Sequence, residues 1–181
     1  AGGVEKGLGM AVKILMPLLF FMLVVMLVFV VFEGKLGAAS KFLFEFDIDS
    51  LTWRAVLEAM GLAFFTLSIG MGAIMAYGAY MPSNVSIGRT VLIIAVFDSL
   101  VAIMAGLIIF AIVFSTSGIE ASAGPGLMFI SLPLAFGNIP GGQLIGVVFF
   151  VLVVIAAWSS AISLLEPAVA WIMEAKNLSR I

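Results

Sequence analysis

The stretch FFTLSIGMG, residues 64–72, lies in the middle of a long apolar run and decides what kind of fold this chain has. Residues 55–66 are helical in pattern and about 18 Å long, and residues 72–81 add about 15 Å. Together they match the roughly 30 Å hydrocarbon core of a bilayer. This run therefore predicts a membrane span.

Two hydroxyl side chains and two glycines stand at the centre of that span, namely Thr66, Ser68, Gly70 and Gly72. Each glycine weakens a helix by about 1 kcal/mol, and hydroxyls compete for the same backbone groups. Unwound backbone at this depth is tolerated only where protein buries it or a polar cavity faces it. Two interpretations are open: a helix broken at a binding site, and a continuous span whose small residues let a neighbour pack closely.

The composition of the whole chain is that of an integral membrane protein. Of its 181 residues, 64% are hydrophobic and 10% are charged, and the mean hydropathy is +1.33, far from soluble globular usage. Four apolar runs reach the length of about 20 residues that a span needs. We expect a single all-α membrane domain over residues 1–181, with spans near 10–32, 55–81, 91–114 and 144–173 and outer loops at 33–54 and 115–143.

Three local signals carry further expectations. The apolar run 126–136 contains Pro133 and is too short to span, so it predicts a re-entrant or loop helix. The aromatic residues of 42–46 alternate with acidic ones, a pattern typical of an extended segment on the outer surface, although a short interfacial piece fits equally well. Pro17 lies inside the first span and predicts a kink or a loosened helix.

Basic residues near the span ends predict the orientation. An even number of spans places both termini on one side, with five Lys or Arg there against three opposite. We expect cytoplasmic termini and a multi-pass protein of the cell inner (plasma) membrane. The five are Lys6, Lys13, Arg89, Lys176 and Arg180, and the three are Lys35, Lys41 and Arg54.

The chain contains no cysteine and no histidine. Disulfides, thiolate chemistry and imidazole catalysis are therefore excluded within it, and oxygen atoms are the metal ligands that remain. The carboxylates Glu58, Asp98 and Glu166 lie on different spans without a shared spacing pattern. We expect neither an enzyme nor a nucleic-acid partner.

Asp98 lies seven residues inside its span, about 10 Å from the cytoplasmic end. An aspartate at the bilayer centre costs about 2.5 to 3.5 kcal/mol on insertion scales, so it usually faces a partner or a cavity. No Lys, Arg or His lies deep in any span. Either a cation arrives from elsewhere, or the carboxyl is protonated or hydrogen-bonded and holds helices together.

Oxygen-bearing side chains occur at three places of comparable depth: Thr66 and Ser68 at the interruption, Asp98, and the pair Ser159 and Ser160. Such oxygens, with carbonyls freed by unwinding, suit a hard cation and poorly suit zinc or copper. The ends of two half-helices add amides for an anion and carbonyls for a cation. A serine pair in a span is usually only a helix–helix contact, but the conjunction favours an ion site.

Over essentially its whole length, the chain resembles spans five to eight of the neurotransmitter:sodium symporters. The matching motifs are FFTLSIGMGA (64–73), SLP (131–133), WSS (158–160) and EP (166–167). The resemblance implies a LeuT-type inverted-repeat fold with four membrane helices here, one of them broken at mid-membrane. The chain begins with alanine and ends a few residues beyond its last span. We therefore expect a fragment whose partner is the remaining spans of the transporter.

By this resemblance two sodium ions (Na+) would bind, each at a site only partly contained in this chain. Thr66 and Asp98 would coordinate the first ion beside the substrate carboxylate. The Ala156 carbonyl, with Ser159 and Ser160, would hold the second.

The resemblance also implies a substrate pocket at the interruption. Phe65 would close it from the outside, and Thr66 would lie at the substrate carboxylate. The lining of the side-chain pocket would be Ser68, Ile69, Met71, Ser160 and Leu164.

Four further positions match gating elements of the family. Tyr80 and Glu174 correspond to the inner gate. Gly7 and Pro17 correspond to a Gly-x9-Pro pattern in the fifth span, where unwinding would open a water path for sodium release.

Three positions depart from the chloride-dependent members of the family. Leu62 stands where those members carry glutamine, Ala102 where they carry serine, and Asp98 where they carry asparagine. The Asp98 carboxylate would then supply the negative charge that chloride supplies elsewhere, which implies chloride-independent transport.

The function that the resemblance implies is sodium-coupled symport of a neutral hydrophobic or aromatic L-amino acid by alternating access. An apolar pocket that includes the flexible Met71 accepts several side-chain shapes. The alternative is a four-helix membrane module or relic that packs with a partner without moving solute.

Overall fold

The computed structural model describes residues 9–45, 48, 51–79, 81–116, 118 and 124–176. This described part forms α-helices and one π-helical turn, and it contains no β-strand. The helices are α1 (Gly9–Glu33), α2 (Leu36–Phe44), α3 (Trp53–Thr66), α4 (Ala73–Ala79), α5 (Ile87–Ser115), α6 (Leu132–Gly137) and α7 (Gly142–Ala175), and the π-helical turn is Leu127–Ser131. The protein is an all-α membrane protein.

Three helices in the described part, α1, α5 and α7, are long and apolar enough to cross a bilayer. Apolar residues surround α1 and α5 on every side rather than forming one stripe, which is typical of membrane spans. α1 continues through Pro17, and α7 continues through Pro167. Neither proline ends its helix.

The second span consists of two helices rather than one. α3 ends at Thr66, α4 begins at Ala73, and residues 67–72 form turns and bends between them. The broken span predicted at residues 64–72 is confirmed, and the continuous helix is wrong. At the start of α3, the Thr52 hydroxyl accepts a hydrogen bond from the Ala55 N–H at 3.2 Å, which caps the helix.

The loop after α1 contains a helix, α2, where its alternating aromatics predicted an extended segment. That prediction is wrong for Phe42 and Phe44, which belong to α2; the rest of the pattern, residue 46, lies outside the described residues. α2 buries Ala39 fully and Leu43 partly. These two residues are four apart, so they share one helical face, and burial of that face outweighs the local alternation.

α2 packs closely on the carboxy-terminal half of α5. The Phe42 ring lies 4.7 Å from the Phe110 ring and 5.4 Å from the Phe114 ring, measured between centroids. Leu43 lies over Gly106, where an added Cβ would be 3.3 Å from a leucine methyl. Glycine at that position therefore lets the loop helix approach the span.

The chain divides into two compact units. One comprises Ala1–Leu15, Asp47–Ser99 and Ala157–Ile181, and the other comprises Met16–Phe46 and Leu100–Ala156. The apolar core lies in the second unit. Its largest fully buried side chains are Met26, Val30, Ile108, Ile112, Val113 and Leu132.

The short apolar run 126–136 forms the π-helical turn followed by α6. Leu132 and Phe136 of α6 are buried, and the Phe136 ring lies 5.6 Å from the Phe149 ring of α7. At Gly146, an added Cβ would be 3.2 Å from the Phe136 ring. This part of the loop between α5 and α7 is therefore packed against α7 inside the second unit.

Candidate functional site

The first half-helix of the broken span ends in a cap made by its own backbone. The Ile69 N–H donates to the Phe64 carbonyl at 2.9 Å, and the Ser68 N–H donates to the Phe65 carbonyl at 3.0 Å. These are the 6→1 and 5→2 hydrogen bonds of a Schellman motif. The interruption is therefore a defined backbone structure and not a locally frayed helix.

Three residues of the interruption adopt left-handed backbone angles. Ser68, Gly70 and Gly72 have φ values of +54°, +91° and +78°. Among the described residues, Ser68 is the one residue other than glycine with a positive φ. A left-handed conformation costs an L-residue about 1–2 kcal/mol, and such strain concentrates at binding sites and switch regions.

Thr66 and Asp98, the two predicted ligands of the first sodium ion, meet in the structure. The Thr66 hydroxyl donates to the Asp98 Oδ2 at 3.2 Å. Thr66 is the last residue of α3, and Asp98 is a half-buried residue of α5. Because α5 begins at Ile87, Asp98 lies about 16 Å along it. The carboxylate is thus held at the depth of the interruption.

The Thr66 hydroxyl has a second acceptor within reach. Its Oγ1 also lies 3.3 Å from the carbonyl oxygen of Ala63. A hydroxyl has one proton and two lone pairs. It therefore donates to one acceptor at a time, and its lone pairs remain available to coordinate a cation. The pair can therefore offer hydroxyl and carboxylate oxygens together, a ligand set that suits a hard cation.

The predicted ligands of the second sodium ion lie close together on α7. Ala156 and Ser160 are four residues apart and so share a helical face, with Ser159 beside them. Ser160 is exposed, whereas Ala156 and Ser159 are half-buried. Their joint binding of an ion stays a prediction.

A hydrogen bond that the sequence analysis missed joins α4 to α7. The Tyr77 hydroxyl donates to the Ser163 Oγ at 3.1 Å, and the Ser163 hydroxyl donates to the Ser159 carbonyl at 3.1 Å. The available signal was the spacing of Ser159, Ser163 and Pro167 at four-residue intervals, which places them on one face of the helix. Nothing local to Tyr77 pointed to this partner.

The apolar residues predicted to line the substrate pocket present exposed side chains. Phe65 is 70% exposed, Ile69 41%, Met71 38% and Leu164 45%. Ser68 is half-buried. The structure therefore leaves these side chains accessible, and their role in binding a substrate stays a prediction.

The predicted gating residues are only partly described. Gly7 and Tyr80 lie outside the described residues. Pro17 lies within continuous α1, and Glu174 is an exposed residue in the last turn of α7. Gating therefore stays a prediction.

The three carboxylates noted in the spans have different surroundings. The exposed Glu58 pairs with Arg54 at 2.9 Å within α3, Asp98 accepts from Thr66, and Glu166 is buried in α7. Within the described part of the chain, no three Asp, Glu, His or Cys residues come together as a metal site. An ion here would thus depend on hydroxyl and carbonyl oxygens besides one carboxylate.

Comparison with known proteins agrees with this geometry. The sequence profile of the Sodium:neurotransmitter symporter family matches residues 2–180. A sodium-dependent transporter of Bacillus subtilis is 35% identical over 95% of this chain, and one of Haemophilus influenzae is 32% identical over 99%. The creatine transporter of Torpedo marmorata is 29% identical over 66%. No solved structure matches the chain significantly.

The chain spans 38% and 39% of the lengths of the two bacterial relatives, and 18% of the creatine transporter. The match nevertheless covers nearly the whole of this chain, including both helices of the broken span. The chain therefore belongs to the sodium:neurotransmitter symporter family, whose members are membrane transporters and not enzymes.

Proposed function

We propose that this chain forms part of a transporter that carries a neutral amino acid together with sodium ions by alternating access. The observation that carries the proposal is the 3.2 Å contact between the Thr66 hydroxyl and the Asp98 carboxylate at the interruption. It brings a hydroxyl and a charged group to the end of a half-helix inside a membrane span. That arrangement is the one in which transporters of this kind bind ions and substrate.

The first sodium ion would bind between Thr66 and Asp98. Within the spans of this chain no basic side chain balances Asp98, and a lone carboxylate at this depth is unfavourable. Sodium beside a substrate carboxylate would relieve both negative charges at once. Each ligand should therefore raise the affinity for the other.

The second sodium ion would bind along α7 at Ala156, Ser159 and Ser160. This proposal rests on their spacing, since a carbonyl and two hydroxyls within one helical turn offer only oxygen ligands. The sites would be completed by the remaining spans of the transporter, which would be the partner of this segment.

Transport would be independent of chloride. The Asp98 carboxyl group beside Thr66 would supply the negative charge that chloride supplies elsewhere, and Ala102, one helical turn further along α5, has no group that could bind an anion. Stimulation of uptake by chloride in the full-length protein would contradict this.

The substrate would be a neutral L-amino acid with an aliphatic or aromatic side chain. Ile69, Met71 and Leu164 present apolar surface near the interruption, and Phe65 would cover the bound molecule. The protein would reside in the cell inner (plasma) membrane with both ends of this segment in the cytoplasm, as its basic residues favour.

The deciding experiment measures binding of radiolabelled neutral amino acids to the full-length protein at graded sodium concentrations. Asp98→Ala should abolish sodium-dependent binding, because it removes the charge that sodium neutralises. Thr66→Val should lower sodium affinity by about tenfold to a hundredfold, as expected for a lost interaction with a charged group.

Thr90→Val is the matched control, because the Thr90 hydroxyl donates to the Ser86 carbonyl at 2.9 Å, a local contact at the start of α5. It should leave the sodium titration unchanged. Unchanged sodium affinity in Asp98→Ala would refute the proposed site, and the absence of any sodium-dependent binding in the unmodified protein would refute the function.

A further inference from the structure

The second half-helix of the broken span is attached to α7 by its tyrosine hydroxyl. Tyr77 is the fifth residue of α4, and its O–H donates to the Ser163 Oγ at 3.1 Å. A phenol without a hydrogen-bond partner at membrane depth is unfavourable. This contact therefore fixes where α4 lies along α7.

Ser163 makes a second hydrogen bond, to the backbone of α7. Its hydroxyl has one proton, which it donates to the Ser159 carbonyl at 3.1 Å. Because one lone pair of the Ser163 Oγ accepts the hydrogen of the Tyr77 hydroxyl, the Ser163 O–H bond is directed toward the Ser159 carbonyl. The result is a chain of two hydrogen bonds that runs from Tyr77 through Ser163 to Ser159.

The part of α7 that accepts these hydrogen bonds lacks one backbone hydrogen bond of its own. Pro167 has no N–H, so the Ser163 carbonyl lacks the donor that a continuous helix supplies four residues later. Gly72, immediately before α4, faces the same proline, because an added Cβ there would lie 3.5 Å from the Pro167 Cβ. α4 and the glycine before it thus face α7 at two successive turns, at Ser163 and at Pro167.

We propose that Tyr77 and Ser163 are positioning residues that link the interruption of the second span to the second sodium site. The inference rests on the proposed function, in which Ser159 is a ligand of that ion. A displacement of α4 that follows binding at the interruption would move the Ser163 hydroxyl and, through it, the Ser159 turn. The two sites are coupled through hydroxyl groups that bind neither sodium nor substrate.

The test is a sodium titration of amino-acid binding to the full-length protein. Tyr77→Phe removes only the hydroxyl and should raise the half-saturating sodium concentration about two- to tenfold, the range expected for one neutral hydrogen bond. Ser163→Ala should have a similar effect. The double variant should match the single ones, because both remove the same chain. Maximal binding at saturating sodium should stay unchanged.

Two variants separate positioning from general stability. Ser163→Thr keeps the hydroxyl and should retain the original titration, whereas Ser40→Ala on α2, which has no part in this chain, should also leave it unchanged. If Tyr77→Phe lowers the melting temperature and the binding capacity but leaves the half-saturating concentration unaltered, the hydroxyl is structural and the inference is wrong. Additive effects of the two single variants would also overturn it.

The failure of this inference is distinguishable from failure of the proposed function. If the unmodified protein shows no sodium-dependent binding, the proposed function fails, and this inference fails with it. If the unmodified protein responds to sodium and Tyr77→Phe responds identically, the inference alone fails.

Discussion

α7 and the second span both contain residues that disturb helices, yet only the second span is broken. α7 runs without interruption from Gly142 to Ala175 although it contains Pro167. The second span contains no proline, and it stops at Thr66 and restarts at Ala73. The comparison separates two effects that look alike in a sequence: the loss of one backbone hydrogen bond and a change in the direction of the backbone.

Proline deletes one hydrogen bond, while a left-handed residue redirects the chain. In α7 the deletion affects the Ser163 carbonyl, and the preceding turn gains the bond from the Ser163 hydroxyl to the Ser159 carbonyl. In the second span, Ser68 and two glycines take positive φ values, which a right-handed helix cannot include. Left-handed geometry is therefore what opens the second span, whereas α7 stays continuous despite the single hydrogen bond that Pro167 removes.

Among the substitutions that test this comparison, Gly72→Val should have the largest effect on stability and binding. Valine at a φ of +78° costs about 1–2 kcal/mol or more, while its Cβ would be in ordinary contact with Pro167 at 3.5 Å. The apparent melting temperature of the full-length protein should fall by several degrees, together with substrate binding.

Gly61→Val on α3 is the matched control for this substitution. Nothing lies within 4 Å of its added Cβ, and valine favours a helix slightly over glycine. Its melting temperature should stay close to that of the original protein. A Gly72→Val protein as stable as Gly61→Val would show that left-handed geometry does not hold the interruption open.

Pro167→Ala should have a smaller effect and should leave the break intact. Alanine restores an N–H for the Ser163 carbonyl, which is worth about 0.5–1.5 kcal/mol, but it removes the ring that contacts Gly72. We expect a change in stability of about 1 kcal/mol or less, measured as melting temperature, with substrate binding retained. A loss of binding as complete as that of Asp98→Ala would mean that the proline itself shapes the site.

Ser68→Gly should produce the smallest change in stability. Glycine relieves the strain of the left-handed angle, about 1–2 kcal/mol, but it adds freedom to the unfolded chain, about 0.5–1 kcal/mol. The melting temperature should rise slightly. Ser68→Ala keeps the strain and loses the hydroxyl, so comparing its substrate affinity with that of the unmodified protein isolates the hydroxyl. If Ser68→Gly melts below Ser68→Ala, the strain assignment is incorrect.

The sequence predicted the break because glycines and hydroxyls are rare together at the centre of an apolar run. It attributed the break to glycines that weaken the helix and to hydroxyls that compete for its backbone groups. It did not predict the left-handed angle of Ser68, since a left-handed serine depends on the Schellman bonds to Phe64 and Phe65. The meeting of Thr66 with Asp98 came from the depth of both residues and from the family resemblance. Depth in the membrane limited the residues that could meet Asp98, but it does not specify which faces of two helices are in contact.

Two features could not be predicted because they depend on contacts far apart in sequence. α2 is a helix because its face with Ala39 and Leu43 is buried, with Leu43 over Gly106, and local alternation alone favoured an extended segment. Tyr77 and Ser163 are 86 positions apart. No local periodicity contains information about such a pair.

The Schellman cap on α3 has a consequence for the kinetics of binding. Because the chain's own amides satisfy the Phe64 and Phe65 carbonyls, the opening in the second span is preorganised during folding. An arriving ion then meets ligands that need little further ordering, so more of its interaction energy appears as affinity. Association should accordingly be limited by diffusion and dehydration of the ion rather than by unwinding of a helix.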